Sequence, residues 1–135
     1  MKVDFIIVGH AKYPEGIKSV LEFVVGIEEN VYTYNIDENN EINSLKTKLE
    51  THFNNDNAKV IIADIPGGSP HQKAMELAMN NKKQQVIVFG GLSTSAIIDT
   101  SIKALLLSPS DFETLKNNCK ANFDNIASFT TYYSN

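Results

Sequence analysis

Two apolar runs in this chain end on residues that carry chemistry. FIIV at 5–8 leads into Gly9 and His10, and VIIA at 60–63 leads into Asp64, followed by IPGGSP at 65–70. An imidazole attacks well when one ring nitrogen is free and the other is held in a fixed tautomer, a task a carboxylate performs. Gly67 and Gly68 permit a tight turn, and Ser69-Pro70 opens a helical pattern whose free N–H groups favour an anion. With His10 as nucleophile, Asp64 as its orienting carboxylate, and Gly67, Gly68 and Ser69 as a phosphate cradle, the set suits phosphoryl transfer onto histidine. That reaction asks chiefly for positioning and charge stabilisation. Taken singly, each piece has a commonplace reading as a loop histidine, a turn aspartate or a loop-to-helix connector. They gain a joint function only in a fold that brings them together.

The hydrophobic pattern supplies such a fold. FIIV (5–8), VIIA (60–63) and VIVF (86–89) do not alternate polar with apolar, so each reads as a strand covered on both faces, as in parallel sheets. VYTYNI (31–36) is more polar and reads as a peripheral strand. Between the strands lie helical patterns at 14–26, 41–53 and 69–81, with further ones at 93–106 and 108–123. In the first, Pro14 suits the opening turn and Gly26 the stop. In the third, Ser69 reads as the N-cap with Pro70 at the first helical position. Strands alternating with helices at these lengths predict a doubly wound, three-layer α/β domain with a mainly parallel sheet in the order 2-1-3-4. Ligands of such folds gather beyond the C-terminal strand ends, where the strand order reverses, here between the first and third strands. That crevice is where His10 and Asp64 would meet.

Composition narrows the classes. A chain of 135 residues with no linker or internal repeat reads as a single domain, 1–135. The net charge of −4 offers no basic footprint for nucleic acid. All twelve positive residues are lysines, so an anion must be held by backbone N–H groups, Lys, Ser or His rather than by an arginine fork. No apolar run approaches the length of a membrane span, and the N-terminus lacks the pattern of a signal peptide, which predicts a cytoplasmic protein. The single Cys119 allows no internal disulfide and has no reactive motif around it. Three scattered histidines give no metal-binding spacing, and no cofactor is expected.

IIVGHAKYPEGI and VIIADIPGGSP resemble the enzyme IIA domains of the mannose family of the bacterial sugar phosphotransferase system (PTS), over about residues 1 to 125. The resemblance implies that His10 is the phosphorylated histidine, Asp64 its carboxylate partner and Ser69 the serine near the phosphate. It also implies a phosphocarrier partner, HPr, as donor and a PTS IIB domain as acceptor, with membrane contact only indirect, through the IIC/IID permease. Ala11 stands where the family usually has glycine, Pro66 replaces a frequent aromatic or Leu, and His71 a frequent Phe. GGLSTSAII (90–98) lacks the family's Asn, Pro and Met.

Rival readings share the topology. A two-component receiver needs an acidic pair after the first strand, where this chain has Gly9-His10, and AKYPEG is a poor flavodoxin-type phosphate loop. A IIA-like subunit for dihydroxyacetone phosphorylation lacks the GGSP pattern. The alternative is a IIA-like regulatory or interaction module, a transcription activator domain or that dihydroxyacetone phosphodonor subunit, or a non-enzymatic protein that keeps the fold for interaction alone. His52, following Leu49, reads as solvent-facing, and His71 as a surface residue within reach of the crevice. NIASFTTYY (125–133) has strand character and predicts an added C-terminal edge strand, within the subunit or exchanged in a homodimer.

Overall fold

The computed structural model describes residues 1–135. Its elements alternate as the hydrophobic pattern requires: β1 (Val3–His10), α1 (Tyr13–Val25), β2 (Val31–Ile36), α2 (Ile42–His52), β3 (Ala58–Ala63), α3 (Ser69–Asn80), β4 (Val86–Gly90), α4 (Thr94–Ser101) and α5 (Phe112–Asp124). The four strands form one parallel sheet in the order β2-β1-β3-β4. Because alternate strand residues face opposite sides, the sheet divides the core in two. Phe5, Ile7, Val60 and Ile62 pack under α1, α4 and α5, whereas Ile6, Val8, Ile61 and Ala63 pack under α2 and α3. The β1 and β3 side chains are nearly all inaccessible, and each such Ile or Phe contributes roughly 2 kcal/mol by leaving water.

Register fixes the site. Val8 pairs with Ala63, the last residue of β3, so Asp64 comes out beside Gly9 at the C-terminal edge of the sheet. Helix α1 starts three residues beyond the end of β1 with proline in its first turn, and it stops at Gly26 in the left-handed conformation (φ 77°). Helix α4 is capped by the Ser93 hydroxyl and α5 by the Asp111 carboxylate.

Two expectations need correction. The helix expected over 93–106 is α-helical only to Ser101 and continues as a π-turn over Ile102–Leu106, closed by Leu107 N–H to Ile102 O. VIVF packs on both faces, Ile87 and Phe89 against one half of the core and Val86 and Val88 against the other, and is only half-buried because it is the edge strand. The added C-terminal edge strand is absent from the sheet. A 3-10 turn occupies Ile126–Phe129, and Tyr132 and Tyr133 beyond it are exposed. Its β-branched and aromatic residues lack a strand partner within the chain, and β-propensity without one makes no strand.

Candidate functional site

His10 is the last residue of β1, paired with Ile36 of β2, and Asp64, one residue past β3, folds back over Gly9 to meet it. Asp64 Oδ2 accepts the backbone N–H of His10 and faces its ring Nδ1, each at 2.9 Å. Asp64 Oδ1 accepts the N–H of Ile65 at 2.9 Å. A carboxylate that accepts from Nδ1–H leaves Nε2 with a free lone pair, so the contact selects the tautomer a nucleophile needs. The Asp64 side chain is 9% exposed and that of His10 41%, which places the orienting group inside and the reacting ring at the surface.

Gly9 makes this approach possible. A Cβ there would lie 2.9 Å from Asp64 Cγ and 2.9 Å from Tyr13 Cδ1, closer than real contacts allow. Tyr13 is thus a wall of the site that sequence reasoning missed, although its place at the start of α1, three residues after His10, was a signal. Burial, and after it the Asp64 charge, push its phenol above the ordinary tyrosine value. On the other side of His10 a crevice of about 550 Å³ opens between the β2–α2 loop and α3, lined by Ile36, Asp37, Asn40, Glu41 and Ser69 among others.

Residues 4–108 match the family described as the PTS system fructose IIA component, which spans both strand ends that build the site. The chain belongs to this family. Its members are phosphotransfer components of the phosphotransferase system. Solved structures agree on the fold. The chain is similar to the phosphotransferase component EIIA from Streptococcus agalactiae at 22% identity, over 88% of this chain and 90% of that one, with a TM-score of 0.77. It is similar to the mannose/sorbose-specific IIA subunit from Enterococcus faecalis at 21% identity, over 100% and 97%, with a TM-score of 0.76. A sigma-54 interaction domain protein from Enterococcus faecalis shares the fold at 14% identity, over 93% of each chain, with a TM-score of 0.70.

In this family member the post-β3 loop differs in detail from the expected phosphate cradle. Gly67 N–H donates to His71 Nδ1 at 2.9 Å, and Gly68 N–H donates to Ile65 O at 3.0 Å. Both donors expected to face an anion are therefore engaged within the chain. Gly67 adopts φ 76°, which favours glycine, and Gly68 is the N-cap of α3. Ser69 is accordingly the first helical residue rather than the N-cap, and its hydroxyl makes no capping bond. It lines the crevice beside His10.

His71 is half-buried against Gly90, not a surface residue. His52 overturns its expectation more fully. It is 6% exposed, with Nδ1 2.9 Å from Asp4 Oδ2 and Nε2 2.7 Å from the Tyr34 hydroxyl. Burial pushes the Asp4 carboxyl up, but hydrogen bonds from His52, Asn57 and Asn55, with the His52 charge, outweigh it and hold Asp4 below the ordinary carboxylate range. This network lies at the opposite end of β1 from His10. Cys119 is buried, and burial pushes its thiol up to about 11. No group of three or more His, Cys, Asp or Glu side chains converges to hold a metal ion, and no helix is long and apolar enough to cross a membrane.

Proposed function

We propose that the chain, as one domain, is the phosphoryl carrier of a sugar-uptake phosphotransferase system, taking phosphate from HPr on His10 and passing it to a IIB domain. The observation that carries this reading is the double contact of Asp64 with His10, backbone and ring, beside an open crevice. In the first step the Nε2 lone pair attacks phosphorus in line. The donor's bond to phosphorus breaks as the Nε2–P bond forms, and the donor keeps that electron pair. Nδ1 retains its proton, and Asp64 balances the positive charge that grows on the ring. Ser69 and the start of α3 offer the N–H and hydroxyl groups nearest the incoming oxygens, with the helix dipole in support. The second step reverses this order toward the nucleophile of IIB.

The protein acts in the cytoplasm and reaches the membrane only through the permease. It works as a homodimer, a reading supported by the unpaired outer edge of β4 and the exposed Tyr132 and Tyr133, which a second subunit would cover. A regulatory IIA-like module is the second reading, favoured by the likeness in fold to the sigma-54 interaction domain protein. Reconstitution with phosphoenolpyruvate, the upstream kinase, HPr and a IIB domain tests both. Phosphate passing through this chain to IIB is the expected result. Phosphorylation of the chain without onward transfer to any IIB would favour the regulatory reading.

A further inference from the structure

The loop behind His10 is held from a direction the transfer chemistry does not use. Gly67 is clamped at both of its polar atoms by consecutive side chains in the first turn of α3. Its N–H donates to Nδ1 of His71 at 2.9 Å, and its carbonyl accepts from Nε2 of Gln72 at 2.6 Å. The next residue, Gly68, backs onto the imidazole of His10. A Cβ there would lie 3.3 Å from His10 Cε1. The contacts therefore run His71 to Gly67, Gly67 to Gly68, and Gly68 to His10.

The far side of the clamp is equally close. A Cβ on Gly90 would lie 3.0 Å from both Nε2 and Cδ2 of His71. Gly91, at φ 81°, would with a Cβ lie 2.7 Å from Pro66 Cγ. The end of β4 thus presses on His71 and on the loop together, and the loop is packed between that strand end and His10. Gly67 N–H is engaged on the β4 side, whereas the crevice lined by His10 and Ser69 opens on the β2 side. The bond to His71 therefore braces the loop rather than competing for a phosphoryl group.

We infer that His71 is a positioning residue for transfer at His10, and that it braces the Gly67–Gly68 turn only as a neutral imidazole. The chemistry is one-sided. Gly67 N–H is a fixed donor, so Nδ1 must hold a lone pair and the ring proton must sit on Nε2. A ring protonated on both nitrogens has no acceptor to offer, and the clamp then keeps only Gln72. The titratable groups facing this region are Asp64 and His10 across the loop. Residues 90–97 carry none. On its own helix, Lys73 and Glu76 pair with each other at 3.1 Å. The part of the inference that concerns transfer rests on the function proposed above; the brace itself does not.

The test has two arms that can fail separately. In 15N-labelled protein, with His10→Ala removing the other imidazole of the site, the Gly67 amide is followed by NMR as pH falls from about 8 to about 5. Its shift and exchange protection should change together with the ring nitrogens of His71. His71→Asn keeps an acceptor atom one bond from Cγ, as Nδ1 is, and should retain protection across the range. His71→Phe should lose it. In the second arm, with His10 intact, His71→Phe should accept phosphate roughly three- to tenfold more slowly, the value of one modest hydrogen bond. His71→Asn should recover most of that loss and lack the acid decline attributable to His71. A Gly67 amide indifferent to the state of His71 overturns the brace. Wild-type transfer by His71→Phe, with Gly67 protection lost, overturns its bearing on the reaction. No labelling of His10 in any variant would instead count against the proposed function and leave the first arm to judge the brace.

Discussion

Replacing Asp64 by asparagine changes almost no volume but leaves the site one acceptor short. Asp64 Oδ2 serves both the N–H and the Nδ1 of His10, and Oδ1 serves Ile65 N–H, all at 2.9 Å. An amide has a single oxygen, so its NH2 group must face one of these two sides. Turned toward Ile65, it leaves that N–H unpartnered and offers His10 only a neutral acceptor. Turned toward His10, it forces the ring to accept at Nδ1 and carry its proton on Nε2, which removes the nucleophile. A hydrogen bond to a charged group is worth roughly 1.5–3 kcal/mol, and the need is greatest as charge grows on the ring. A loss of about 3 kcal/mol in the transition state slows phosphoryl uptake by roughly two orders of magnitude. Rapid-quench labelling from phosphorylated HPr measures the rate, and thermal melting checks that Asp64→Asn is folded. A folded variant that takes up phosphate at the wild-type rate would refute the orienting role and reduce Asp64 to a turn residue.

Gly9→Ala should separate the same pair sterically. The new Cβ would meet Asp64 Cγ and Tyr13 Cδ1 at 2.9 Å, so transfer should fall more than about tenfold while stability drops by about 1–3 kcal/mol. An unchanged rate in that variant would show that the site tolerates the shift. The Asp4–His52 network should be felt in acid. Asp4 is held below the ordinary range in the fold, so its stabilisation is complete above the unfolded value near pH 4 and is lost as pH falls through the lower folded one. Urea unfolding at about pH 7 and about pH 3 should therefore cost the wild type more than Asp4→Asn, which at neutral pH begins about 2 kcal/mol less stable. Equal losses would discount the network. Light scattering should give a dimer, and deletion of residues 125–135 should weaken it. A concentration-independent monomer of 15.0 kDa, or an equally stable truncated dimer, would exclude the C-terminal clasp.

The parts legible in the sequence were those that depend on periodicity and topology. Uninterrupted apolar runs at 5–8 and 60–63 announced buried parallel strands, and the order 2-1-3-4 then put His10 beside Asp64 without any contact being visible in the chain. What stayed hidden depends on which side chains and edges become partners once the chain is folded. His52 lies three residues after Leu49, on the buried stripe of α2, but its partner Asp4 stands 48 residues earlier, near the start of β1. The acceptor of Gly67 N–H is a side-chain nitrogen four residues on, so a loop that reads as an open anion cradle is partly closed. The tail 125–133 has the right residues for a strand, but a strand needs an edge to pair with, and composition does not say which edge is free.

The central claim concerns one nitrogen atom. Phosphorylation of the intact protein through phosphoenolpyruvate, the upstream kinase and HPr, followed by 31P and 15N NMR of the labelled histidines, reads that atom directly. The account predicts a single acid-labile phosphoramidate on Nε2 of His10, with Nδ1 still protonated and facing Asp64, and no label in His10→Ala. Phosphate on Nδ1 of His10, on His71 or His52, or full labelling of His10→Ala would contradict it.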